Sequence, residues 1–179
     1  MASINGISLK HITFFRDHEG DTIAQANVYK GNRKVGFWTQ DTGGGADVFL
    51  DCYDAVQKAA HDFAEGSNRG NIYEATKMEL FMCCLLDLTE EEKVYRHNMK
   101  AGHAHMLYAT DGYHCLSWAF ADRQACEDAA RDEKIQKEIE AVMDKDGINR
   151  RKYTVHSIED YNVTVNADNP PQACACWWQ

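Results

Sequence analysis

Four of the eight histidines in this 179-residue chain crowd into one stretch, His97, His103, His105 and His114, around an apparent β-hairpin running from His105 to Phe120. On a strand reaching back to residue 103, His103 and His105 point to one face, because side chains alternate along a strand. His114 falls on that face too, diagonal in the strand pairing. Imidazoles so grouped are ligands for zinc or another transition metal, so His103, His105 and His114 form the candidate metal set. The face is otherwise apolar and has no fixed carboxylate. Neither a His-Glu-x-x-His helix nor the His-x-Glu and Pro-Cys-x-x-Cys pattern of zinc deaminases is present. Structural histidines are the plainer reading, and the default expectation is no cofactor.

The second candidate is the run Asp41-Thr42-Gly43-Gly44-Gly45-Ala46-Asp47, set between a strand and an amphipathic stretch. A glycine-rich turn feeding a helix N-terminus can hold phosphate through backbone N–H groups and the helix dipole. Here the Gly-x-Gly-x-x-Gly and Gly-Lys-Ser/Thr spacings are missing, and Asp41 and Asp47 repel an anion. A sharp strand-to-helix connector is the plainer reading, with Trp38, Asp41, Gly43, Gly44 and Gly45 as part of a binding surface.

Seven cysteines, an odd number, accompany an N-terminus without a basic-then-apolar leader, which points to reduced thiols in a cytoplasm. Cys83-Cys84 sits in the most apolar stretch as small hydrophobes. Cys174-x-Cys176 lacks a matching Cys-x-x-Cys. The following Trp177-Trp178 either docks back on its own domain or anchors a partner. No complete catalytic motif is present, so no catalytic residue is assigned and the chain leans away from being an enzyme.

The elements that must position these groups read as follows. A strand at residues 7–14 has its alternation broken near Lys10-His11, predicting a bulge. Ala24, Ala26 and Val28 alternate with polar neighbours, and Val35 and Phe37 carry a third strand, giving an antiparallel meander. Asp47 is expected to cap a first helix through Phe63, ending at Gly66. A second helix starts near Ile72, and Thr89-Glu90-Glu91-Glu92 has the form of a capping box opening a third. Asp111-Gly112 predicts a two-residue hairpin turn setting Leu107 opposite Leu116 and His105 opposite Trp118, with Leu107, Ala109, Leu116 and Trp118 on a core face. A charged helix from Asp122 slips out of pattern at Arg131-Asp132-Glu133 and ends at Asp146-Gly147. Late strands cover Tyr153 to His156 and Tyr161 to Val165.

The order is α+β: an N-terminal three-stranded antiparallel meander, helices, a β-hairpin, a charged helix and late strands. It predicts a single domain over residues 1–168, with lobes at 1–66 and 67–168, and a tail at 169–179. One sheet or two are both open. A net charge of −9 argues against direct nucleic-acid binding, which needs a basic face, although Arg150-Arg151-Lys152 is locally basic. The same charge favours a basic partner. The longest apolar run, Leu80 to Leu86, is far short of a membrane span.

On Lys34, Val35, Gly36, Asp41 and Gly43 to Gly45, with the opening strand Leu9-Lys10-x-Ile12, the segment 7–66 resembles a loose family of small accessory proteins from phages and mobile elements. The resemblance implies an intracellular protein of a bacterial host, acting by binding a host macromolecule such as a host-defence component. It implies no catalytic residue. Three readings follow: a non-catalytic binding or inhibitory protein with a host partner, a metal-binding module or metal-dependent enzyme at the histidines, and a nucleotide or phosphate binder at Gly43 to Gly45. A homo-oligomer is compatible with each.

Overall fold

The computed structural model describes residues 1–41, 43, 45–67, 72–110, 114–143, 151–166 and 168. In chain order the elements are β1 (Ser3–Ile4), β2 (Ile7–Arg16), β3 (Thr22–Lys30), β4 (Arg33–Thr39), β5 (Val48–Leu50), α1 (Tyr53–Gly66), α2 (Glu74–Lys100), β6 (His105–Thr110), β7 (Cys115–Phe120), α3 (Arg123–Ala129), α4 (Glu133–Val142), β8 (Arg151–Val155) and β9 (Asn162–Val163). This is an α+β fold that opens on an antiparallel meander. Its described residues separate into two compact units, one of Met1–Thr89 with residues 162–168, the other of Glu90–Tyr161. Among the described residues the second unit is thus inserted in sequence within the first. No helix among the described residues is long and apolar enough to cross a membrane.

The first unit is a six-stranded sheet in the order β5-β4-β3-β2-β1-β9, with β9 parallel to β1 and the other pairs antiparallel. Asn5 and Gly6 have φ of 50° and 75°, the left-handed pair that closes a two-residue hairpin between Ile4 and Ile7. The expected bulge is present: the β2–β3 register shifts between Lys10 and Thr13, and His11 adopts φ of 54°. Ala24, Ala26, Val28 and Trp38 are buried on the sheet. Asn5 then ties the unit together. Its Nδ2 donates to the Ala59 carbonyl in α1 at 3.0 Å, and its Oδ1 accepts from the Val165 amide at 2.8 Å. In α1 the residues Val56, Ala59, Ala60, Phe63 and Ala64 point inward, and Phe63 meets Phe81 of α2 edge to face at 5.7 Å.

The second unit is a three-stranded antiparallel sheet in the order β7-β6-β8. The expected core face holds: Leu107 and Ala109 are buried, with Leu116 and Trp118 beside them, under Cys126 and Ala129 of α3 and Ile139 of α4. On the strand's other side Tyr108 stacks on Tyr153 at 5.3 Å and its hydroxyl lies 3.1 Å from that of Tyr161. Tyr161 in turn packs on Tyr95 of α2 at 5.4 Å, and Tyr153 donates to Glu91 Oε1 at 3.0 Å. Burial pushes the Tyr108 and Tyr161 hydroxyls up from the ordinary phenol range, so both stay neutral.

Three expectations need correction. First, Thr89 does not open a helix, because α2 runs unbroken from Glu74 to Lys100. Its hydroxyl donates back to the Leu85 carbonyl at 2.7 Å, the mid-helix habit of threonine, while Glu90 and Glu92 pair forward with Lys93 and Arg96. Second, Asp47 caps nothing. Residues 48–50 form the edge strand β5, and α1 begins only at Tyr53, with Cys52 at its N-cap position. Third, the hairpin register is two residues longer than a two-residue turn gives: His105 faces Phe120 and Leu107 faces Trp118. A shift of two keeps each side chain on its face, which is why the core face was right and the partners were not. The Asp111-Gly112 turn, the Asp146-Gly147 helix end and Arg150 lie outside the described residues. The break expected near Arg131-Asp132-Glu133 is present as the gap between α3 and α4, with Asp132 accepting from the amides of Lys134 and Ile135.

Gly36 lies where the chain beyond β5 crosses β4 closely. A Cβ there would sit 2.7 Å from the Cys52 Cβ and 2.8 Å from the Cys52 amide nitrogen, both fixed by backbone. Gly36→Ala is expected to destabilise the chain by about 3 kcal/mol or more, the upper range of overpacking. Urea unfolding monitored by circular dichroism measures it, and a change below about 1 kcal/mol rejects the close approach as a constraint.

Candidate functional site

The glycine loop joins β4 to β5, strand to strand, and so has no helix N-terminus behind it. Asp47 organises it: Oδ2 accepts from the Trp38 indole at 2.7 Å and Oδ1 from the Asp41 amide at 3.0 Å. The Asp41 carboxylate accepts from the Gly45 amide. Burial pushes the Asp47 carboxyl above its usual range and the Asp41 charge adds to this, while the hydrogen bonds from the Asp41 amide and the Trp38 indole oppose it. The Asp41 and Gly45 amides are therefore engaged by the two carboxylates. Trp38, expected on a binding surface, is wholly buried and belongs to the core. Asp41, Gly43 and Gly45 are exposed, and Gly44 lies outside the described residues. So do Cys174, Cys176, Trp177 and Trp178.

The three candidate histidines are not gathered. His105 opens β6 opposite Phe120, whereas His114 precedes Cys115, which pairs with Thr110 at the far end of the hairpin. His103 precedes β6 and joins no ligand set. The partner of His105 is His156, which follows β8, with their Nδ1 atoms 3.3 Å apart. Among the described residues the one group of three metal-ligating side chains with converging atoms is Asp17, Glu19 and Asp21 in the β2–β3 turn. Asp17 Oδ1 accepts there from the Glu19 and Asp21 amides, both at 2.9 Å, so turn geometry accounts for that grouping.

The cysteines offer no activated nucleophile at the positions where a shift is resolved. Burial, then the charges of Asp47, Asp87 and Glu79, push the Cys83 thiol up to about 11. Burial with Glu127 does the same for Cys126, to about 11, and burial raises Cys52. A thiol so raised is almost wholly protonated near neutral pH.

One concave feature combines apolar and charged groups. In the second unit an open groove of ≈ 520 Å³ runs between β7 and the α3–α4 break. Trp118 and Phe120 of β7, with Ile135, make its apolar floor, and Asp128, Asp132 and Glu138 stand on its rim beside Lys134. The rim thus carries three carboxylates against one ammonium. The Trp118 indole donates to Glu138 Oε2 at 3.2 Å, which holds the N–H edge of the ring to that carboxylate. Asp132 is held in place as the cap of α4. An aromatic floor under carboxylates is chemically suited to a cation, which the ring faces and the negative rim both attract. Sequence reading missed this groove. Trp118 and the helix break at Asp132 were each legible, but only the three-dimensional packing of α3 and α4 on β7 sets them together.

No protein-family model matches this chain, and neither a curated protein nor a solved structure matches it. The likeness of residues 7–66 to phage and mobile-element accessory proteins therefore remains one of short motifs.

The carboxylate of Asp47 makes its own test. Asp47→Ala leaves the buried Trp38 N–H without its acceptor and releases the Asp41 amide. The expected loss is about 1–3 kcal/mol in urea unfolding, with a shift in tryptophan emission. Unchanged stability would show that the loop, and not this carboxylate, holds Trp38.

Proposed function

We propose that this chain is a non-catalytic binding protein that takes a basic segment of a protein partner. A Lys or Arg side chain of that segment lies on Trp118 and Phe120 beneath Asp128, Asp132 and Glu138. The observation that carries this reading is the groove itself: its volume falls in the range of small-ligand sites, and aromatic floor and acidic rim are both complementary to one kind of guest. The chain's net charge of −9 draws a basic partner at long range. The raised thiols and the lack of a catalytic motif accord with binding in place of turnover. The finer reading, a phage or mobile-element accessory protein acting on a host component such as a defence protein, rests on the sequence resemblance of residues 7–66. Phosphate binding at Gly43 to Gly45 is the weaker alternative, since Asp41 and Asp47 engage the Gly45 and Asp41 amides and repel an anion.

Fluorescence anisotropy with labelled Lys/Arg-rich and Asp/Glu-rich peptides of equal length tests the reading. The basic peptide is expected to bind with an affinity that falls as salt rises, and the acidic one to leave the anisotropy flat. The double substitution Asp128→Lys with Glu138→Lys, both on the surface, is expected to weaken basic-peptide binding by about tenfold or more. Equal binding of both peptides, or full binding by the double variant, overturns it.

A further inference from the structure

His105 and His156 occupy matched positions at the end of the second unit's sheet. Met106 pairs with Val155, and carrying that register on by one place sets the two histidines opposite each other. Their ring centroids lie 5.2 Å apart at an interplanar angle of 61°, and the closest atoms are the two Nδ1, 3.3 Å apart. Without a cation, one ring must donate its Nδ1 proton to the other. Two Zn–N bonds of about 2.0–2.1 Å at a tetrahedral angle separate their nitrogens by about 3.3–3.4 Å. The observed spacing is the edge of that tetrahedron.

The surroundings fit a ligand role for His156. Its far nitrogen, Nε2, lies 3.8 Å from Glu127 Oε1, beyond hydrogen-bond reach but close enough for the carboxylate's charge to favour a cation on the ring. Asp160 Oδ2 accepts from the backbone amides of His156 and Ser157 at 2.8 and 3.0 Å, which pins the residue at the strand end. The nearby cation Arg123 is held by Glu127 at 2.8 Å, so its charge is paired.

We propose that His105 and His156 are a two-histidine site for Zn²⁺ or a similar first-row transition cation, with two coordination positions left for water. This site is separate from the peptide groove and does not depend on it. His103 and His114 are not part of it.

The full-length chain, titrated with Co²⁺ and with Zn²⁺ near neutral pH, tests the site. Expected are one equivalent bound per chain, a tetrahedral Co²⁺ visible spectrum without thiolate charge-transfer bands, and a higher Tm with Zn²⁺. His105→Asn and His156→Asn, which keep a polar group at each position, are expected to weaken binding at least about tenfold while the far-ultraviolet circular dichroism stays unchanged. His103→Ala and His114→Ala are expected to leave it intact. Absence of stoichiometric binding, survival of binding in His156→Asn, or thiolate bands that move the metal onto cysteines would each overturn the site and leave a hydrogen-bonded imidazole pair.

Discussion

The first unit depends on a tie of very long sequence range. Asn5 reaches Ala59 and Val165 with one side chain, and β1 pairs with β9 across the whole inserted second unit. Closing a flexible loop of that length costs about 4–5 kcal/mol by the logarithmic law, before the constant. Hydrogen bonds of about 1 kcal/mol each are a thin return against it. The second unit eases the cost slightly through its own packing. Tyr95, where the chain enters it along α2, packs on Tyr161, where the chain leaves. Once those rings meet, the loop left to close still runs from β1 to Tyr95, and by the same law its cost falls by only about 0.5 kcal/mol.

What was legible in the chain was whatever local periodicity or steric need writes plainly. The bulge at Lys10-His11, the face shared by Leu107, Ala109, Leu116 and Trp118, and the helix break at Asp132 all follow from short-range pattern. The failures were competitions that local pattern cannot decide. Thr89 has the composition of a cap, but its hydroxyl found the Leu85 carbonyl and the helix ran on. Asp47 has the same composition, but the indole of Trp38 was the nearer donor. Asn5-Gly6 carries the local signal of a two-residue hairpin, and β1 turns into β2 there.

The candidate sites were less legible than the fold, and for a physical reason. The notable contact of His105 is with His156 and not within the hairpin, where alternation can be counted. The true neighbour arrives from β8, a strand whose pairing with β6 no local pattern declares. Likewise the acidic rim belongs to helices and the aromatic floor to a strand. Both the histidine pair and the groove are products of tertiary pairing in the second unit, and both lie on the α3 side of its sheet edge, where Phe120 serves one and faces His105 of the other.

The parallel pairing of β1 with β9 has a consequence for synthesis. At roughly 5–20 residues per second, a ribosome delivers β1 many seconds before β9. Through that interval Ser3 and Ile4 border a sheet whose outer edge is open, and the residues from Glu90 to Tyr161 have time to fold as a unit while it waits. The chain is built so that its first strand is among the last to be completed. A slow or misfolded insert would thus be felt at the N-terminal sheet as an edge left unpaired, which is where association between copies begins.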